Sequence, residues 1–348
     1  MLESRAMRIA VIDDADAARW DAYVTPRTTT VTDLYAWRRV VRGAYGMRSH
    51  FLVAEEGGRI AGALALFEVR HPLLGHYLAT APFGNDGGLH HDGPEARARL
   101  LDEARRIADL LRVSYLLVRT RGEELEGFAV DRRYTTAAVD LGGSAGALWS
   151  GLPGKTRNQV RRGQKEGFVI ASGADQIEPF HRVFHAHMRA LGSPAHALGF
   201  YRGIARELGS RARFIVVRDG EGGAVAAGAL LFTVNGTATN HHTVALGAYN
   251  RRCPNYMLYW HMLSASADAG CHTFDMGRSV DGTGNLRFKE NWGPRLVKLT
   301  SNYYLRTLRA PPFTDPRNPR YRLPMAVWRR LPLPVTRVLG PRLITGLV

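Results

Sequence analysis

The chain has 348 residues, 45% of them hydrophobic, and its 47 basic against 31 acidic side chains give a formal charge of +16. That size and composition exclude wholesale disorder and allow two domains or one large one. No apolar run reaches membrane-spanning length, and two cysteines, Cys253 and Cys271, exclude a disulfide framework or a cysteine-rich zinc site. The opening residues, with Asp13 and Asp14 and no secretory core, set cytoplasmic residence as the expectation. A general preference for arginine explains part of the charge. A phosphate-rich partner explains the rest: nucleic acid, a nucleotide cofactor, a sugar-diphosphate lipid or an anionic membrane face.

In chain order, DLYAWRRVVRGAYG near Trp37 reads as a helix. Phe51 to Val69, FLVAEEGGRIAGALALFEV, then reads as two β-rich runs around a glycine turn. LATAPFGNDGGLHHDG follows, with Asn85, Asp86, His90 and His91. It is either part of an acceptor site or a capped turn. PEARARLLDEARRIADLLR has Pro94 at its start and Leu100, Leu101, Ala104, Ile107, Ala108 and Leu111 at helical spacing. VSYLLVRT, Val113 to Thr120, is a strand. The same order then returns. PFHRVFHAHMRALG is a helix, and Arg213 to Val234 is a second glycine-turn hairpin with the same Ala-Gly-Ala-Leu centre. TNHHTVAL is a strand, GAYNRRCPN a loop, YMLYWHMLSASADAG a helix and CHTFDMGR a strand. A mixed α/β unit used twice is expected, α+β with mixed sheets, over 1–150 and 151–308.

Between the copies, PGKTRNQVRRGQKEG predicts a basic helix. Arg157, Arg161 and Lys165 recur at i, i+4 and i+8 on one face, where like charges repel unless an anion is bound. The alternative is a solvated face. The tail, 309–348, is basic and proline-rich, with Asp315 its last acidic residue. Its short amphipathic segments suit either an anionic membrane or a strap on the body.

The densest polar stretch is Asp275 to Trp292, DMGRSVDGTGNLRFKENW, expected to be a shaped loop followed by a strand. On a strand, Arg287 and Lys289 would point the same way and could together grip a pyrophosphate. Asp275 or Asp281 could act as base or orient an amine, and Arg278 could orient Asp275 or hold phosphate. His241 and His242 are adjacent, so on a regular strand they face opposite ways and do not share a metal; His241 remains a candidate base. No phosphate loop, nucleophile elbow or zinc helix motif occurs. Acyl transfer to an amine needs none of these. It needs a donor phosphate site, an oxyanion stabiliser and removal of a proton.

Four stretches carry a resemblance: KTRNQVRRGQKEG, NRRCPNYMLYWHML, DMGRSVDGTGNLRFKENWG and the tail NPRYRLPMAVWRRLPLPVTRVLGPRLI. Together they resemble the FemAB-like branch of the GNAT acyltransferase superfamily, especially the group found beside exosortase and exopolysaccharide genes. The resemblance implies two tandem GNAT-like domains around a cleft and transfer of an acyl or aminoacyl group to a primary amine. In the Fem pattern the lysine of R-F-K-x-x-[WF], here Lys289, lies in the active cleft, with Arg287, Asn285 and Arg278 lining it. The acetyl-CoA pyrophosphate loop of a GNAT would fall on YNRRCPNY, which has Arg251 and Arg252 but Pro254 in place of a glycine cradle. The coiled-coil arm of tRNA-using Fem proteins is not apparent.

The expected activity is therefore transfer from an acyl thioester such as acyl-CoA to an amine on a lipid, saccharide or cell-envelope precursor, with no permanently bound cofactor. Lys289, Asp275 and His241 are the candidate catalytic groups. Arg157, Arg161, Lys165, Arg251, Arg252, Arg278, Asn285 and Arg287 are the candidate donor-binding groups. Aminoacyl-tRNA is the alternative donor. A nucleic-acid-binding module and a non-catalytic scaffold are the alternatives to an enzyme. The inner face of the membrane is a further expected partner, and oligomeric state is open.

Overall fold

A computed structural model describes residues 7–312 and 318–347. Its contacts divide the chain into two units, Met1–Arg133 with Lys298–Thr314 and Thr345–Val348, and Tyr134–Val297 with Asp315–Ile344. The units therefore exchange segments along the sequence, instead of following the expected limits at 150 and 308. Asp315 and Pro316 of the tail lie outside the described residues.

The first unit contains β1 (Arg8–Ile12), α1 (Ala17–Val24), α2 (Tyr35–Tyr45), β2 (Arg48–Glu56), β3 (Arg59–His71), β4 (Gly75–Ala79), β5 (Leu89–His91), α3 (Pro94–Leu110) and β6 (Tyr115–Arg121). The first glycine-turn hairpin is β2–β3. Gly57 and Gly58 both adopt left-handed backbone, φ +58° and +82°. A two-residue turn that follows the strand twist requires this, and only glycine adopts it without strain. α3 buries Leu100, Leu101, Ala104, Ile107 and Ala108 in one cluster with Leu52, Leu64, Leu66 and Leu116 of the sheet. β4 and β6 are parallel, as a connecting helix demands.

The LATAPFGNDGGLHHDG segment runs from the end of β4 through β5. Asp86 pairs with Arg121 at 2.5 Å. His90 Nε2 lies 2.8 Å from the buried Asp33 carboxylate, which also accepts the Thr28 hydroxyl at 2.7 Å.

The second unit contains β7 (Ala129–Asp140, from Tyr134 on), α4 (Ala145–Gly151), α5 (Gly154–Lys165), β8 (Phe168–Ser172), α6 (Ile177–Leu191), α7 (Leu198–Leu208), β9 (Ala212–Asp219), β10 (Val225–Val234), β11 (Thr237–Ala245), α8 (Pro254–Asp268), β12 (Thr273–Val280) and α9 (Gly284–Glu290). Its strands run β7-β12-β11-β10-β9-β8. The chain then returns to the first unit as β13 (Arg295–Leu305), which pairs with β6 from Leu299 to Leu305. Each unit thus has a strand, two helices, a three-strand meander, a helix, and a parallel strand flanked on its far side by one more antiparallel strand. The duplication expected from the hairpins extends to the whole topology.

Strand alternation layers the second unit. Ala227, Ala229 and Leu231 of β10 join Leu258, Met262 and Leu263 of α8 in the main core. Gly228 faces the opposite side, where an added Cβ would lie 3.1 Å from the Phe180 ring of α6. α5 sits close to the start of α8, because Gly163 leaves room for the Cys253 carbonyl.

The tail forms α10 (Arg322–Arg330) and α11 (Leu333–Ile344), both packed on α6. Trp328 is buried and donates its indole N–H to Ser193 O at 3.0 Å; Arg189 donates to Leu331 O at 2.9 Å. The strap reading holds for this inner face. Trp328→Ala is expected to destabilise the chain by about 3 kcal/mol, measured by urea unfolding. A loss within about 0.5 kcal/mol would mean the tail is not part of the folded core.

Candidate active site

The parallel strands β11 and β12 hold register for only three pairs, Thr237↔Thr273, Ala238↔Phe274 and Thr239↔Asp275. Beyond these no pairing joins them, and each strand carries a bulge at that level. On β11 the register with β10 shifts between Leu230 and Leu231, which pair with His242 and Asn240, so His241 is the extra residue. On β12 the register with β7 shifts between Asp275 and Arg278. The bulge contains Gly277 at φ +77°, a conformation that needs glycine. The result is a split in the sheet, walled by polar groups from both strands.

On the β12 side, Asp275 is fully buried. Its Oδ1 accepts the Thr136 hydroxyl of β7 and, at 2.8 Å, the Gly277 N–H. Lys289 reaches the same bulge from α9. It is 2% exposed, and its Nζ donates to Gly277 O at 2.6 Å and Arg278 O at 3.2 Å. Burial pushes its pKa down to about 8, opposed by the charge of Asp275. An ammonium and a carboxylate therefore grip the two sides of one strand irregularity.

This corrects the sequence expectation. The stretch after β12 is a helix, not a strand, begun by the Thr283 side chain capping Leu286 N. Two residues apart on a helix do not share a face. Arg287 is exposed, with Gly282 O at 3.5 Å, while Lys289 points inward; they do not form a joint pyrophosphate grip. Phe288 and Trp292 join Tyr256 and Tyr259 of α8 in an aromatic cluster with ring centroids 5.0–6.3 Å apart. Arg278 lies over the Tyr134 ring, and Asn285 donates to Ser279 Oγ at 3.1 Å. Asp281 accepts from Thr135 at 2.5 Å.

On the β11 side, Asn240 Nδ2 donates to the Tyr259 hydroxyl at 2.9 Å, and Asn240 Oδ1 accepts from Thr243 at 2.6 Å. Burial raises the Tyr259 pKa to about 12, so the phenol stays protonated. Sequence reading missed these three. Tyr259 sits in an aromatic helix that looks like plain core, and the one available signal was the polar run Asn240 to Thr243 on a largely buried strand.

His241 and His242 do not face opposite ways. The bulge turns both toward α6, with ring centroids 4.3 Å apart, His242 against Phe184 and His241 against Phe232. Burial pushes both pKa values down, His242 to about 3, and both rings are neutral at physiological pH. Among the described residues no group of three or more His, Cys, Asp or Glu is arranged to hold a metal.

The other predicted phosphate groups separate into two sets. Arg252 is a structural residue. It bridges Glu166 and Asp219, each at 2.8 Å, and stacks on Phe168, so its charge is already neutralised. The segment expected as a loop is a 3₁₀ turn, Gly247–Arg252, ending in Cys253 at φ +59° and leading into α8. Pro254 stands at the first helical position, where its missing N–H costs nothing. Arg251 is exposed on that turn. α5 forms where the basic helix was expected, with Thr156, Val160 and Gly163 inward. Arg161 and Lys165 are exposed, whereas Arg157 turns partly inward with its Nε buried and unpaired. Gln159 of α5 accepts from Cys253 Sγ at 2.9 Å, which sets α5 beside the N-terminus of α8.

The helix–sheet order and the split are those of a GNAT-like fold. Residues 154–290 match the family model of the acetyltransferase (GNAT) domain. The structure of FemX matches with a TM-score of 0.63 at 13% identity, covering 86% of this chain and 98% of that one. A tandem GNAT protein from the clavulanic acid biosynthesis pathway matches at 0.56 and 14%, covering 85% and 98%. L-PGS from Bacillus licheniformis matches at 0.55 and 14%, covering 94% and 97%. At such identities the structures establish the fold, two tandem GNAT-like units. No curated protein matches. Residues 154–290 thus match a GNAT acetyltransferase domain within a tandem GNAT-like fold.

Proposed function

We propose that the chain moves an acyl group from an acyl thioester of acyl-CoA type to a primary amine on a lipid, saccharide or cell-envelope precursor. The observation that carries this reading is the β11–β12 split within the segment matching a GNAT domain, with a buried phenol on one wall and exposed cations beside the helix that follows β11. The amine nitrogen attacks the thioester carbonyl carbon, the tetrahedral oxyanion collapses, and the C–S bond breaks. Tyr259, protonated and held by Asn240, donates its proton to the departing thiolate and recovers the proton that the attacking nitrogen loses, so that amide and free thiol are the products. The α8 N-terminus, Arg251 and the basic face of α5 receive the donor's phosphates. Lys289 and Asp275 act as positioning residues that fix the bulge carrying Gly277. His241 and His242, neutral and buried, serve as hydrogen-bonding wall and not as bases.

No helix among the described residues is long and apolar enough to cross a membrane. The tail supports work at the inner face of the membrane, because α10 and α11 leave Leu323, Val327, Val335 and Val338 exposed beside arginines. A second reading, aminoacyl-tRNA as donor, is favoured by the exposed Arg161 and Lys165 of α5. The test is incubation of the protein with acyl-CoAs of several chain lengths and a panel of primary amines, read by product mass and release of free thiol. Amide product with equimolar thiol supports the thioester reading. Amide formed only from aminoacyl-tRNA would replace it.

A further inference from the structure

The second unit has a cleft of about 360 Å³ between α6, the segment entering α7, and α11. His181, Arg182, His185, His196 and Arg337 line it, with Glu178 at the edge. Glu178 is engaged by Arg202. Arg182 and Arg337 have no carboxylate partner among the described residues. His185 is 2% exposed; its Nε2 lies 3.4 Å from the Thr336 hydroxyl, and its Nδ1 is buried with no hydrogen-bond partner. Two guanidiniums over a floor of imidazoles form a donor set that suits a phosphate.

The surroundings of the cleft indicate the source of that phosphate. Arg337 stands on α11 among Val335, Val338 and Leu339, which are 38%, 60% and 38% exposed. α10 adds Leu323 and Val327, 74% and 52% exposed. From residue 316 to the end the sequence contains no acidic residue. Exposed aliphatic side chains interleaved with arginines match the boundary of an anionic bilayer. The cleft also reaches the reaction site's wall, since the His196 ring lies 5.8 Å from His242 at the β11 bulge.

We propose that this cleft binds the phosphate of an anionic phospholipid headgroup while the apolar side chains of α10 and α11 rest in the bilayer around it. The headgroup's part as acceptor rests on the acyltransferase reading above; its binding does not. Imidazole resonances of the full chain are followed while dihexanoyl phosphatidylglycerol is added below its micelle concentration, and affinity is taken from the titration. The His181 and His185 signals should shift. Arg182→Ala with Arg337→Ala should weaken binding at least tenfold, whereas the charge-matched pair Arg322→Ala with Arg330→Ala on α10 should change it less than twofold. Unmoved imidazole signals, or equal losses in the two pairs, would overturn the site. Glycerol 3-phosphate binding as tightly as the lipid would overturn the membrane source. If the lipid binds but no amine-bearing lipid is acylated, the headgroup's part as acceptor fails and this site stands.

Discussion

Asp275→Ala and Lys289→Met are each expected to destabilise the chain by about 3 kcal/mol, and the double variant by clearly less than their sum. Each single change leaves a buried charge without its counter-charge. Loss of Lys289 also strips a donor from the Gly277 and Arg278 carbonyls, and loss of Asp275 strips the acceptor from Thr136 and Gly277 N. Removing both leaves polar groups unsatisfied but no lone charge. Urea unfolding of the four proteins measures the coupling, which should be about 1–3 kcal/mol. Strict additivity would show that the two groups do not act as one unit.

The same pair predicts a pH dependence. The folded-state pKa of Lys289, about 8, lies below the ordinary value of 10.5. Between those values the unfolded chain binds more protons, so stability from this group rises with pH across that window. Below about pH 8 both states are protonated and the penalty of burying the ammonium is fully present. Wild-type stability relative to Lys289→Met should therefore increase from pH 8 towards 10.5, and a flat difference would remove the buried-ammonium account. Turnover of Lys289→Met should fall by about 100-fold, since a displaced bulge misplaces the reacting groups.

Tyr259→Phe is the second large effect. The ring keeps its packing on Phe288 and Trp292, and only the hydroxyl shared with Asn240 is lost. Stability should change by about 1 kcal/mol. Turnover should fall by 10²-fold or more, within the range typical of a removed general acid. Thiols that leave easily should be affected least, which separates loss of a proton donor from loss of packing. Full activity in Tyr259→Phe would transfer the proton donor's role to another group.

The fold was legible because its signals are local. Paired glycines fix two hairpin turns, and Pro94 with a helical apolar stripe fixes α3. The order of elements repeats in both halves. The segment exchange through β7 and β13 was not legible, since strand pairing across some 180 residues leaves no local mark. The site was half legible. Lys289 and Asp275 stood out by charge, but Thr283 capping α9 turned a predicted strand into a helix and sent Arg287 to solvent. The two histidines were misread because a single bulge residue reverses strand alternation. Arg252 looked like a phosphate ligand until its two carboxylate partners, 86 and 33 positions away in sequence, came into view.

The most direct test of the central claim is calorimetric titration of the purified chain with acyl-CoAs of several chain lengths, beside charged and uncharged tRNA, at moderate salt. Saturable acyl-CoA binding that depends on chain length and weakens in Arg251→Ala, with no preference for charged tRNA, is the predicted result. Absence of acyl-CoA binding together with a preference for charged over uncharged tRNA would contradict it.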